Sequence, residues 1–373
     1  MQNERTRGPL AGHAATRRLL LVFTLSVALI GTLHAAGVTE IEPTRTVTDA
    51  LGREVEIPDH PQRIVTAGRA VLMIVNAIYL FPGAGDRVIG VGRIDQGTGN
   101  FLAEIDPGYD AKHVLERNVG PEQIAGLNPD LVILKSQMQN ELGAGLERLR
   151  IPVVYVDLET PEQYQHDLLV LGEVLGQTAR GEELARFYAR ETDRVVRRVA
   201  EAADRPRTLF LYADLAGGER VFNVPPEGWI QTTLVTLAGG DPVWLGEGQG
   251  SRWIRVGLEQ IASWDPDVIT LVAYRQDAQA LRDSLLASTT WAPLPAVRNA
   301  QLHAFPADHV SWDQPDVRWI LGLRWLAHTL HPERFAPSEL VEFIYEFYSF
   351  AYGMSRIETD DVIFAVLEGA GTE

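Results

Sequence analysis

Residues Thr178 to Ala203 form 26 consecutive positions that Gly and Pro leave unbroken after Gly181. Leu184, Tyr188, Thr192, Val195 and Val199 recur at helical spacing and make one apolar stripe, and charged residues fill the other faces. Pro206 closes the stretch, because the residue before a proline resists the helical region. At ~1.5 Å per residue this helix is roughly 39 Å long, enough to cross a small domain. Such a rod either lies on one large domain or joins two bodies. Short β-rich runs alternate with helical runs on both sides of it, which favours two bodies built from βαβ units. The expected fold is α/β: two mostly parallel-sheet lobes bridged by one long α-helix, with a ligand cleft between them.

Length also favours two cores over one. The formal charge of −17 argues against nucleic acid and anionic lipid, since phosphate binding needs a basic face. The chain has no cysteine. That excludes disulfides, thiolate metal sites, iron–sulfur clusters and a cysteine nucleophile. It equally excludes a lipid anchor on an N-terminal cysteine. Arg17 and Arg18 precede an apolar run from Leu19 to Leu33, followed by small residues Ala35, Ala36 and Gly37. This is the order of a secretory signal, with a loose echo of a twin-arginine signal at Thr16 to Leu21. Its removal takes away four arginines and one glutamate, so the charge falls from −17 to −20. The chain therefore divides into a signal over 1–37, a first lobe over 38–177, the interlobe helix over 178–203, a second lobe over 204–335 and a helical tail over 336–373. The exported product is expected to be a soluble, unanchored periplasmic monomer.

After the signal, Val47-Thr48 leads into a turn over Asp49 to Gly52, and Glu54 to Ile57 completes a hairpin. Arg63 to Thr66, Arg87 to Gly92, Leu131 to Leu134 and Val153 to Val156 read as strands of the first lobe. Thr160 to Gln163 is a capping box with proline at the first helical position, and Thr178 is a candidate cap for the rod. In the second lobe, Thr208 to Tyr212, Arg220 to Val224, Asp267 to Tyr274 and Gln301 to Phe305 read as strands. Leu340, Phe343, Ile344 and Phe347 share a face of a tail helix, and Thr359 is a candidate cap for a last one.

The order of these pieces resembles class III periplasmic binding proteins, receptors of ABC importers for iron–siderophores, haem and cobalamin. The hairpin opening, Pro129-Asp-Leu-Val-Ile133, Pro266-Asp-Val-Ile269 and Trp291-Ala-Pro-Leu-Pro-Ala-Val297 carry the resemblance, which spans nearly the whole exported chain. It implies capture of a metal–organic complex, an iron–siderophore first and haem or cobalamin next, and delivery to a membrane permease. It implies no intrinsic cofactor. In the second lobe the family's permease-docking glutamate matches Glu259. In the first, its expected place is held by Met73.

In open α/β sheets ligands bind beyond the carboxyl ends of the strands. The loops there supply Arg69, Arg93, Asp95 and Gln137 from the first lobe, and Tyr212, Tyr274, Arg275, His309, Trp312 and Asp313 from the second. Aromatics suit the flat apolar faces of a chelate, and arginines suit its oxygens. Trp312 either lines the cleft or is wedged under the helix after Pro315. His309 and Asp313, four apart, offer two ligands for a bare metal ion, the alternative cargo, but the first lobe adds no obvious histidine. A secreted α/β enzyme is the other alternative. The sequence has no GxSxG elbow, HExxH or P-loop to support it. Gly246 to Gly250 reads as a flexible loop.

Overall fold

A computed structural model describes residues 43–94, 99–246 and 252–371. The signal, Asp95 and most of the Gly246–Gly250 stretch lie outside those residues. The hairpin forms as expected from β1 (Thr44–Thr48) and β2 (Glu54–Pro58). Asp49 holds its turn: the carboxylate accepts from the backbone N–H groups of Leu51 and Arg53 at 3.0 and 3.1 Å and from the Arg53 guanidinium at 2.8 Å.

The first-lobe sheet has the order β5-β4-β3-β6-β7, with β3 (Ile64–Thr66), β4 (Val88–Gly92), β5 (His113–Leu115), β6 (Leu131–Lys135) and β7 (Val153–Val156) all parallel. β6 and β7 are buried at every position, the mark of a sheet covered on both faces. The second-lobe sheet has the order β11-β9-β8-β12-β13. Here β8 (Arg207–Ala216), β12 (Val268–Val272) and β13 (Leu302–Ala304) run parallel. The short β10 (Asp241–Pro242) pairs parallel with the start of β8. β9 (Glu219–Val224) folds back on β8 through Gly217-Gly218, both at positive φ as a two-residue hairpin requires, and β11 (Ile254–Val256) pairs antiparallel with β9. This sheet is therefore mixed along its β9–β11 edge. The short β5, β10 and β11 have no counterpart in the strand expectations.

The lobes are related by an internal repeat. Gly120-Pro-Glu-Gln-Ile-Ala125 and Gly257-Leu-Glu-Gln-Ile-Ala262 each open a short helix at an extended glycine. Asn128 and Asp265 then take left-handed conformations before Pro-Asp and a buried strand. Arg63 donates to the carbonyls of Leu127 and Asn128, and Arg207 repeats this at Trp264 and Asp265. Asp130 accepts from the Arg63 backbone N–H, and Asp267 from that of Arg207.

The interlobe helix spans Thr178–Val199, about 33 Å at ~1.5 Å per residue. It stops short of Ala203, and Gln177, not Thr178, stands at its N-cap without a side-chain bond. Its buried face includes Leu184, Phe187, Tyr188, Glu191, Val195 and Val199. Phe187 stacks on Phe350 of the tail helix Ser338–Tyr352 at 4.3 Å, so the tail covers the rod. Glu191 is buried against Arg194 at 2.7 Å and Arg190 at 3.2 Å. The rod packs on helix Pro161–Val174 where Gly181 meets Gly172. A Cβ on Gly181 would lie 2.6 Å from the Leu168 carbonyl oxygen. Gly181→Ala is expected to cost about 1–3 kcal/mol through overpacking, read as a lower urea midpoint with unchanged slope. In the tail, Ser355 and not Thr359 caps the last helix, with Glu358 completing the box.

The lobes also meet at a buried polar joint. Asn76, on first-lobe helix Val71–Ile78, donates to Asp316 at 2.5 Å. Arg318 is fully buried, pairs with Asp316 at 2.9 Å and Asp308 at 2.8 Å, and lies 4.5 Å above the Phe101 ring of the first lobe. Tyr188 on the rod donates to the Val317 carbonyl at 2.6 Å.

Candidate functional site

Both sheets reverse their strand order at one place, between β3 and β6 in the first lobe and between β8 and β12 in the second. Loops leave such a switch point in opposite directions and open a crevice. A cavity of about 630 Å³ lies where the two crevices face one another. The first lobe lines it with Ala70 and Met73 after β3, Lys135 at the end of β6 with Ser136 and Gln137 beyond it, and Asp157 and Glu159 after β7. The second lobe answers with Tyr212, Gly228 to Gln231, Trp253, Tyr274, Arg275 and the Gln314-Pro315 turn.

The second-lobe wall is aromatic. Tyr212 lies 4.8 Å from Trp253 and 4.9 Å from Tyr274 between ring centroids, and Trp229 meets Trp253 edge-on at 5.3 Å. These four rings form one continuous surface, suited to a flat conjugated or apolar face. Behind it, the Tyr274 hydroxyl donates to Asp313 at 2.6 Å, Gln231 donates to the same carboxylate at 3.1 Å, and Ser311 at 2.5 Å. Burial and the Asp313 charge push the Tyr274 hydroxyl well above its usual range.

The first-lobe wall is polar and strained. Ala70 and Leu158 are non-glycine residues at positive φ, each beside the cavity, and Gly68 sits at φ +87 with Met138 too close to admit a Cβ comfortably. Such strain concentrates where surrounding structure over-determines a functional loop. Asp167 stabilises the second of these turns by accepting from the N–H groups of Asp157 and Leu158 at 2.6 and 2.7 Å. Lys135, only 1% exposed, pairs with Glu159 at 2.6 Å and donates to the Asp157 carbonyl.

Of the residues expected at the site, Gln137, Tyr212, Tyr274 and Arg275 line the cavity together. Arg275 is held to Asp214 by two bonds of 2.7 and 2.9 Å, and that pairing, outweighing the upward push of burial, keeps the Asp214 carboxyl below its usual value. Arg69 and Arg93 do not reach the cavity; they pair with Glu141 at 3.2 Å and Glu116 at 3.0 Å on the exposed rim. Trp312 does not face the cleft. It is fully buried, its Nε1 donates to Asp308 at 2.9 Å, and its carbonyl abuts Gly322 of helix Trp319–Leu330, which fixes it under that helix. Asp313 stands behind the aromatic wall, fully buried. His309 is also buried, 5.7 Å from the Phe101 ring, with Nε2 3.0 Å from the Val362 carbonyl. His309 and Asp313 thus turn to different partners, and no group of three His, Asp or Glu side chains is arranged to hold a metal among the described residues. Trp229, Trp253, Gln231, Asp157 and Glu159 were not expected at the site. The switch-point rule marks the loops but not Trp229 and Trp253, which arrive from the segments around the β9–β11 edge.

Met73 is 4% exposed and lines the cleft, so it is not the first-lobe counterpart of Glu259. The repeat assigns that place to Glu122, third in the shared Gly-x-Glu-Gln-Ile-Ala. Both glutamates are exposed in the first turn of their helices. In a βαβ unit that end of a helix lies on the carboxyl edge of the sheet, so one glutamate from each lobe stands on the cleft side. The hexapeptide repeat is the sequence signal that locates Glu122.

Burial raises the Asp313 carboxyl to about 6 from 3.8, against the pull of its three donors. The folded protein therefore binds this proton more tightly than the unfolded chain. The resulting stability is complete below pH 4 and is lost as pH rises through 6. The stability of the native chain relative to Asp313→Asn is expected to fall by about 2 kcal/mol between pH 4 and pH 7. Urea unfolding of both proteins at unit pH steps measures it, and a difference that grows with pH would reverse the assignment.

The profile of the family described as periplasmic binding protein matches residues 64–309. The molybdate-binding protein MolA of Haemophilus influenzae is 24% identical over 83% of this chain and 92% of its own length. A probable siderophore-binding lipoprotein, YfiY of Bacillus subtilis, is 22% identical over 79% of this chain and 91% of its own. Among solved structures, a periplasmic solute-binding protein from Veillonella parvula superposes with a TM-score of 0.70 at 22% identity, over 87% of this chain and 98% of that one.

Proposed function

The chain belongs to the periplasmic binding protein family, and from that premise we propose that it captures a metal–organic chelate, an iron–siderophore before haem or cobalamin. It is a solute-binding protein of an ABC importer and not an enzyme. The observation that carries the chelate reading is the four-ring wall of Tyr212, Trp253, Tyr274 and Trp229 on a cavity of about 630 Å³. A space of that size suits a multi-ring or chelated ligand and is far larger than a tetrahedral oxoanion such as the molybdate of the Haemophilus relative. No covalent step is involved; capture consists of desolvating the ligand against the rings. The exported chain is proposed to be a freely soluble monomer in the periplasm. One relative is named a lipoprotein, but this chain has no cysteine to acylate.

Tryptophan fluorescence of the exported chain tests the reading against ferric siderophores, haemin, cobalamin and molybdate. Two tryptophans line the cavity, so a bound chelate is expected to quench strongly with one-to-one stoichiometry. Silence towards every chelate, with calorimetry silent as well, overturns it.

Delivery is proposed to use Glu122 and Glu259 as a pair spanning the cleft mouth, each meeting a cation on the permease. In cells carrying the importer, Glu122→Lys and Glu259→Lys are each expected to cut uptake of the quenching chelate about tenfold, as loss of a charge pair of about 1.4 kcal/mol would. Binding of the chelate to the isolated variants stays at the native level. Unchanged uptake in the double variant removes the docking role.

A further inference from the structure

We propose that the cargo carries a positive charge, a protonated amine, held between the aromatic wall of the second lobe and the Asp157 carboxylate of the first. This rests on the receptor reading above and narrows its cargo to cationic chelates.

The charge balance of the cavity carries the argument. Two cations line it, Lys135 and Arg275, and each is already matched: Lys135 by Glu159 at 2.6 Å and Arg275 by Asp214 at 2.7 Å. Arg69 and Arg93 are matched on the rim by Glu141 and Glu116. Asp157 is the lining carboxylate left over. It accepts from Ser136 Oγ and, at 3.3 Å, from Gln163 Nε2, both neutral donors. Among the described residues no cationic side chain pairs with that carboxylate, and Lys135 donates to the Asp157 backbone carbonyl instead. Asp313, buried behind the wall, likewise has only neutral donors in Tyr274, Gln231 and Ser311. An anionic cargo would enter against this surplus, whereas a cation between low-dielectric walls is drawn in by it.

The wall opposite Asp157 suits a cation as well as an apolar face. Trp229 and Trp253 both line the cavity and stand at 84° to one another, and Tyr212 leans 45° from Trp253, so the wall is bent. Bent clusters of rings offer more than one negative π-face to a single charged group, and tryptophan attracts a cation most strongly.

Gln231 is the independent sign that the missing group is a donor. It lines the cavity, is 4% exposed, and commits its Nε2 to Asp313. Its Oε1 is the one buried polar side-chain atom of the cavity lining without a partner among the described residues, and it can only accept. A buried acceptor without a donor is costly. An ammonium brings N–H donors and no acceptor, the inverse of an anion.

The test varies the charge of the ligand at nearly fixed shape. Ferrioxamine B carries a free ammonium beside a neutral ferric trihydroxamate; acetylating that amine gives a neutral twin, and succinylating it an anionic one. Fluorescence quenching is measured on the native exported chain and on Asp157→Asn, with haemin, ferric dicitrate and cyanocobalamin as chelates of other shapes. Ferrioxamine B is expected to bind the native chain about tenfold more tightly than its acetyl twin, with the succinyl twin weakest and the differences shrinking in high salt. Asp157→Asn keeps an acceptor for Ser136 and is expected to erase most of that preference. Where the variant does not fold, the three twins on the native chain still decide. Equal binding of the twins, tightest binding of the succinyl twin, or a preference unchanged in the variant overturns the inference and leaves the receptor reading standing. Quenching by haemin, ferric dicitrate or cyanocobalamin with ferrioxamine B silent does the same. Silence of every probe defeats the receptor reading instead, and the inference with it.

Discussion

Arg318→Met is expected to destabilise the protein by about 3–5 kcal/mol, a large part of the ~5–15 kcal/mol that holds a typical fold together. Burial opposes the guanidinium charge, yet Asp308, Tyr348 and Asp316 hold its pKa well above the ordinary value. Removing it leaves two fully buried carboxylate side chains, Asp308 and Asp316, without their cation. Trp312 and Tyr348 still donate to the first and Asn76 to the second, but hydrogen bonds alone do not balance two charges in a dry interior. The joint also carries the lobe contact at Phe101. Urea unfolding followed by far-ultraviolet dichroism gives the loss directly. A change below about 1 kcal/mol would mean that the joint is wet and its charges screened.

Trp253→Ala is expected to weaken chelate binding about 100-fold, or about 2.7 kcal/mol. Trp253 is the hinge of the aromatic wall: it touches Tyr212 and Trp229, and it lies 6.4 Å from Tyr274. It is only partly buried, so a ligand takes the remaining surface from water. A buried indole of ~150–250 Å² supplies that much energy on its own. Competition against a coloured chelate, followed by absorbance, avoids relying on the fluorophore being removed. Loss of less than threefold would place the ligand elsewhere in the crevice.

The large features of the fold are legible in the chain because each is stated many times over. The rod is written in five stripe positions and a closing proline, and the parallel strands in continuous runs such as Leu131 to Leu134. β10 and β11 are two and three residues long, too short for any periodicity to register. The site divides in the same way. Tyr212 and Tyr274 follow from strand ends and a switch point. Trp229 and Trp253 depend on how the β9–β11 edge folds back, which local pattern does not encode. Trp312 and Tyr274 look alike as loop aromatics; only the partner Asp308 and the approach of Gly322 send the first inward. Arg69 and Arg93 stay on the rim for an electrostatic reason. Loops of an acidic chain offer carboxylates nearby, and Glu116, Glu141 and Asp214 neutralise cations that composition alone leaves free.

The Asn76–Asp316 and Arg318–Phe101 contacts pin the two lobes to one another, and Tyr188 ties the same joint to the stiff rod through the Val317 carbonyl. A receptor fastened in this way has little freedom to rock, so vacant and loaded forms present nearly the same outline. Under the docking proposed for Glu122 and Glu259, the permease has to sense occupancy from the cargo itself, and ligand-free receptor is expected to compete with loaded receptor for it. Import that falls when the vacant protein is added in excess, with an X-ray scattering profile unchanged by cargo, is the physiological signature of that construction.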